Sequence, residues 1–206
     1  QIIKLYGKVI VLEDDLLSSK NFLDFMNQSL NFYKDSSKVK SINGFSLDVN
    51  RDVSSNGSDV FYNKRTYSWG WATWENCWSR KAFNKDLINS LISKENLVNF
   101  NKECGQDMSR MLMASINGIN DSWYVRWVFQ HFLEKKYAVY PFLSKISNIG
   151  YGENATHCKT INVLKSRYDL AMRRSFNFEE NIKVDYKLND NFLDYFTYKY
   201  KLIFRL

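Results

Sequence analysis

The apolar run Val9-Ile10-Val11-Leu12 stops on Glu13-Asp14-Asp15, and no other feature limits the fold of this chain so tightly. An unbroken apolar run of this length specifies a short buried strand. Three adjacent carboxylates cannot follow it into a core, because like charges repel and must be solvated or neutralised. A divalent cation neutralises them most simply. In open α/β sheets ligands lie beyond the carboxyl ends of the strands, which is where this cluster falls. The plainer alternative is a strand that leaves the core through a solvated acidic turn.

The pattern downstream extends an α/β reading. Lys8 to Glu13 forms the first strand, and alternation along it puts Glu13 and Asp15 on one side and Asp14 on the other. Phe22, Phe25, Met26, Leu30 and Tyr33 share one face of a helix over 21–34. Residues 39–45 read as a second strand ending at Gly44, and strand–helix–strand order predicts a parallel crossover. Residues 46–66 are polar and read as a loop holding one short strand at Val60-Phe61-Tyr62. Residues 85–117 have helical spacing, and Asp121-Ser122 marks the start of another helix. Tyr137 to Tyr140 is a short strand closed by Pro141, the single proline. From about residue 160 the chain is charged, aromatic and free of glycine, which predicts a helical, peripheral extension over 159–206.

The net charge, 29 − 22 = +7, suits an anionic partner such as a nucleotide diphosphate or an anionic membrane face. Lys and Arg are scattered rather than blocked, which argues against nucleic acid. Cys77, Cys104 and Cys158 are widely spaced and form no C-x-x-C, which points to a reducing, cytoplasmic setting and against a disulfide or zinc scaffold. The sequence shows no leader pattern and no apolar run near about 18 residues. It begins on Gln1 and enters an interior strand almost at once, as a fragment lacking its natural N-terminus would.

Three further features bear on chemistry. Trp69, Trp71, Trp74 and Trp78 crowd into ten residues with Gly70 between the first two, which predicts close backbone approach at Gly70. The indoles either pack on the sheet or wall a sugar pocket. Asp121 at a helix start is either an N-cap or a general base facing a cleft. His131 lies within a helix beside Phe132 and reads as structural, whereas His157, after a glycine-bearing loop, is a candidate ligand for a metal or diphosphate.

Taken in order, VIVLEDD, the helix, the strand ending at Gly44, SWGWATW, NDSWYVRW, and then YP…S-x-x-x-NIG…TH resemble a bacterial group of GT-A-fold glycosyltransferases related to the N-acetylglucosaminyltransferase I family. The resemblance spans roughly residues 7–158. It implies a Rossmann-like mixed sheet flanked by helices, of which this chain is the C-terminal portion. By it, Glu13-Asp14-Asp15 is a variant of the family's DXD motif. Asp15 would bind Mn²⁺ or Mg²⁺, and Glu13 and Asp14 would contact the donor. Trp69, Gly70 and Trp71 would line the sugar or acceptor pocket, Asp121 would be the catalytic base, and His157 would join the metal and diphosphate. Ser122 stands where the family has a second Asp. The family also places about a hundred residues before its DXD strand, carrying most of the nucleotide pocket.

The implied activity is inverting, metal-dependent transfer from a nucleotide-diphospho-sugar, such as a UDP-sugar, to a glycan or lipid-linked hydroxyl. Residues 1–158 would be the catalytic part. Two other classes compete with it: a non-catalytic carbohydrate-binding or scaffold module, and a nucleotidyl or phosphoryl transferase, for which a second acidic pair is needed. Residues 192–206 read either as a docked helix or as a basic-aromatic segment giving peripheral contact with the inner membrane face.

Overall fold

The computed structural model describes residues 1–49, 57–78, 84–150 and 164–197. A short helix, α1 (Ile2–Tyr6), ends on left-handed Gly7 and leads into β1 (Lys8–Val11). β2 (Leu16–Ser18), α2 (Phe22–Phe32) and β3 (Val39–Asn43) follow. After them come β4 (Val60–Asn63) and β5 (Trp71–Trp74). Next are α3 (Lys85–Ser90), α4 (Lys94–Cys104), α5 (Met108–Ile116) and α6 (Trp123–Leu133). β6 (Tyr137–Pro141), β7 (Ile146–Asn148) and α7 (Tyr186–Asp194) complete the described elements.

The fold is mixed α/β. Five strands form one sheet in the order β1-β5-β3-β6-β4, and β2 pairs with β7 in a separate two-stranded ribbon. β3 and β6 are parallel, and β5 is antiparallel to both β1 and β3. β1, β3 and β6 therefore run the same way. The predicted crossover from β1 to β3 is parallel, but the two strands are not neighbours, because β5 lies between them. Sequence periodicity cannot reveal a strand inserted from so far along the chain.

The sheet is covered on both faces, as the unbroken apolar runs require. Along β5 alternate side chains part: Trp71 faces α6, while Ala72 and Trp74 join the core under α2. The Trp74 indole N–H donates to the Leu30 carbonyl at 3.2 Å. α2 buries Phe22, Phe25, Met26 and Leu30, and Tyr33 follows at its C-cap, the stripe that its spacing predicted, with Ser29 buried among them. Each large apolar side chain removed from water there contributes about 1.5–3 kcal/mol. On the other face α6 carries Trp123, Trp127 and His131 at four-residue spacing. The His131 ring meets the Ser41 hydroxyl at 2.9 Å and the Trp127 carbonyl at 2.9 Å, the structural role expected of it. Burial pushes its pKa down to about 3, so the ring is neutral. Nδ1–H then donates to Trp127 and Nε2 accepts from Ser41.

Several boundaries differ from the sequence reading. The helical stretch over 85–117 is three helices, broken at 91–93 and at Gly105, whose left-handed φ of 118° ends α4. Within the Trp-rich segment Trp71–Trp74 is a strand, β5. Of the polar 46–66 stretch, Ser46, Leu47 and Val49 are buried. The tail is neither helical throughout nor peripheral. Residues 164–185 contain no helix and run across α2, with a parallel bridge between Ser144 and Tyr168. Phe176 packs edge-on against Phe25, and Phe192 of α7 against Tyr140. Lys145 and Asp169 form a buried ion pair, to which Asn21 also donates. Tail aromatics thus supply part of the main core, which composition alone does not disclose. Among the described residues no helix is long and apolar enough to cross a membrane.

Candidate functional site

β1, β3 and β6 end at one edge of the sheet, and β5 begins there. Register pairs Val11 with Trp71, so the acidic segment emerges beside Gly70-Trp71. The strand stops at Val11, not Glu13. Leu12 and Glu13 leave it, and Asp14-Asp15 form a turn into β2, so strand alternation does not govern the three carboxylates. The physical reason is their charge: a turn leaves Glu13 and Asp14 exposed and Asp15 only half-buried, whereas continued pairing would bury more of them.

Pairing of β2 with β7 brings a distant segment to this turn. Leu16 is paired with Asn148, and the Ile149 N–H donates to the Asp15 carbonyl at 3.0 Å. The Asn148 side chain accepts from the Gly150 N–H at 2.7 Å, folding the chain sharply. Gly150 then lies against the Asp15 carboxylate so closely that any Cβ there would overlap it. Asp15 Oδ1 is buried and has no hydrogen-bond partner. Burial, and then the charges of Asp15 and Asp14, hold the Glu13 carboxyl above the usual range. No ion pair reaches the triplet from any described cation. Among the described residues, then, no cation neutralises this acidic turn at the strand edge. Among the described residues no three His, Cys, Asp or Glu side chains gather into a complete metal cage. His157 lies outside the described residues.

Gly70 shows the close approach its position predicted. Its φ is 62°, and a Cβ would meet Ile146 Cγ1 at 2.6 Å and Leu12 Cδ2 at 3.3 Å. Its carbonyl accepts from the Gly44 N–H at 2.6 Å, which ties the end of β3 to the start of β5. The partner in that approach is the protein itself.

Trp71 does not present a face to solvent. It is 4% exposed, and Trp78, Trp123 and Trp127 surround it at ring-centroid distances of 5.3, 5.5 and 5.9 Å. A sugar has no ring face of Trp71 left to stack on. Trp69 packs on Phe45 and Tyr67, with centroids at 4.6 and 5.7 Å, and remains partly exposed. The indole N–H groups of Trp71 and Trp127 are buried without acceptors.

Trp123, packed at a tilt against Trp71, brings the start of α6 to the same edge of the sheet. Asp121 precedes it but does not cap the helix. Ser122 occupies the N-cap position and its side chain makes no cap bond either. The Asp121 side chain is 88% exposed, with Arg126 Nη2 at 3.5 Å and Lys85 Nζ at 3.9 Å. Sequence reasoning missed Arg126 and Lys85. The available signal was Arg126 itself, the one basic residue between Trp123 and Phe129 on an otherwise apolar helix.

The structure thus brings Glu13-Asp14-Asp15, Gly70-Trp71, Asn148–Gly150 and the start of α6 to one edge of the sheet. No protein-family model matches the chain, and no curated protein matches it.

Proposed function

We propose that the chain is the C-terminal portion of a GT-A-like glycosyltransferase domain. It would move a sugar, with inversion, from a nucleotide-diphospho-sugar to a hydroxyl of a glycan or lipid-linked acceptor. The observation that carries this reading is the acidic turn at the carboxyl edge of a three-layer α/β sheet. Its Asp15 Oδ1 is buried without a partner, and its Glu13 carboxyl is raised by burial and then by the neighbouring Asp15 and Asp14 charges. Such a turn suits a divalent cation with phosphate oxygens and water completing the octahedron, since magnesium and manganese sites of nucleotide enzymes use only one or two carboxylates.

In this reading Asp15 would hold Mn²⁺ or Mg²⁺, with Glu13 and Asp14 beside the donor. The metal, when bound, offsets charge on the departing diphosphate. Asp121 accepts the proton of the attacking hydroxyl, and its carboxylate, though in ion-pair reach of Arg126 and Lys85, is exposed to one. Gly70 and Gly150 keep the walls of the turn close, since neither position admits a side chain. A purely glycan-binding module draws less support, because the central indoles Trp71 and Trp127 are buried in packing.

The test is to incubate the full-length protein with a panel of UDP-sugars, with and without Mn²⁺. The reading expects metal-dependent donor binding and slow release of UDP, both abolished by EDTA. Glycan binding indifferent to EDTA, without UDP release, would replace it with the binding-module reading.

A further inference from the structure

The first turn of α6 holds more hydrogen-bond donors than acceptors. Among the described residues the amides of Trp123, Tyr124 and Val125 meet no acceptor, no side chain caps the helix, and its first turn has no acidic residue. Arg126 is 5% exposed, yet its Nε is unpartnered. Its guanidinium is aimed back at the helix start: Nη1 donates to Ser115 Oγ at 2.6 Å, and Nη2 lies 3.5 Å from Asp121. Ser115 in turn donates to the Ser122 carbonyl at 3.1 Å, fixing the guanidinium relative to the turn. Lys85 of α3 adds a second cation from the side. Against two cations and the positive end of an 11-residue helix stands one exposed carboxylate, in loose contact with both.

Resting on the transferase reading, we propose that this turn is a phosphate subsite for a phosphate-bearing acceptor. A phosphate monoester carries several acceptor oxygens and up to two charges. It therefore matches both cations and the open amides together, which a single carboxylate does not. The ester would displace Asp121 from Arg126 and Lys85, releasing the carboxylate beside the acceptor where a proton must be taken up.

Titration of ¹⁵N-labelled protein with glycerol 3-phosphate, and separately with UDP, at constant ionic strength tests the site without donor sugar or metal. Glycerol 3-phosphate should shift the Trp123–Val125 amides and the Arg126 Nε–H saturably. Lys85→Ala should weaken the effect several-fold. Removing a buried arginine threatens folding, so the decisive variant is Ser122→Asp. Its carboxylate caps the amides and raises the melting temperature while abolishing the shift. Vesicles of phosphatidylcholine with and without phosphatidic acid separate the sources. Pelleting that requires phosphatidic acid and is lost in Ser122→Asp assigns a lipid phosphate, and its absence with the glycerol 3-phosphate shift retained assigns a soluble one. No shift, a shift with UDP alone, or an undiminished shift in Ser122→Asp overturns the proposal. A protein that shows the shift but never releases UDP from UDP-sugars would keep the phosphate site and lose the transferase reading.

Discussion

Gly150 is the residue against which the Asp15 carboxylate rests, and only the absence of a side chain there permits the contact. Gly150→Ala should push the carboxylate out of place. UDP release in the presence of Mn²⁺ should then fall nearly as far as in a variant lacking the carboxylate. Overpacking at this partly exposed position should cost only about 1 kcal/mol in urea unfolding. Activity equal to the parent protein would show that the position of Asp15 is immaterial.

Asp15→Ala removes a carboxylate whose Oδ1 has no partner, so stability should change by no more than about 0.5 kcal/mol. Metal-dependent transfer should disappear. Undiminished turnover at saturating Mn²⁺ and donor would take the metal away from this turn.

Asp121→Asn keeps the shape and removes the basicity. General-base catalysis contributes about 10²–10⁴-fold, so kcat should drop by that order with donor affinity nearly constant. Should steady-state kinetics instead show a collapse of donor affinity with kcat preserved, Asp121 is a binding residue.

His131 links folding to acid. Its folded pKa, lowered to about 3, lies below the ordinary value of 6.5, because burial comes first and the Lys40 and Lys136 charges add to it. The unfolded chain therefore binds the proton more readily. The contribution of this group is fully present above pH about 6.5 and declines as pH falls toward 3, by at most about 1.4 kcal/mol per pH unit. Urea unfolding between pH 7 and 4 should show that slope, and His131→Gln should flatten it. Parallel pH profiles for the two proteins would mean that other groups set acid stability.

The buried Lys145–Asp169 pair holds the 164–178 segment across α2. Asp169→Ala strands a buried ammonium among Phe25 and Phe176 and should cost about 3–5 kcal/mol. The double variant Lys145→Met with Asp169→Ala should recover much of that loss. Equal stability of the single and double variants would mean that the pair is not what fastens the tail.

Local signals were legible in the sequence where they depended on neighbours in the chain. The α2 stripe, the strand at 60–63 and the glycine at the end of β3 follow from spacing alone. The acidic turn was legible as a place, because three carboxylates after an apolar run admit few solutions. Its surroundings were not. Nothing within residues 13–15 states that Asn148–Gly150 closes over them, and nothing in SWGWATW states that Trp71 is walled in by indoles from α6. Asp121 misled for a related reason: Asp before an apolar run signals a cap, but the helix begins two residues later and the carboxylate turns outward to Arg126 and Lys85. The tail misled because its aromatic residues lack helical or strand periodicity until seen against α2.

Strand β5 has a consequence for when this edge of the molecule can exist during synthesis. Among the described residues β1 pairs with β5 alone, and β2 only with β7. The strands that pair with those flanking the acidic turn, β5 and β7, lie far downstream of it and emerge later. Such non-local closure is slow and carries its loop entropy up front. The turn is therefore made before the segments that close around it. A nascent chain halted before Trp71 would hold the three carboxylates with neither β5 nor β7 beside them, and one halted before Ile146 would have β5 alone of the two.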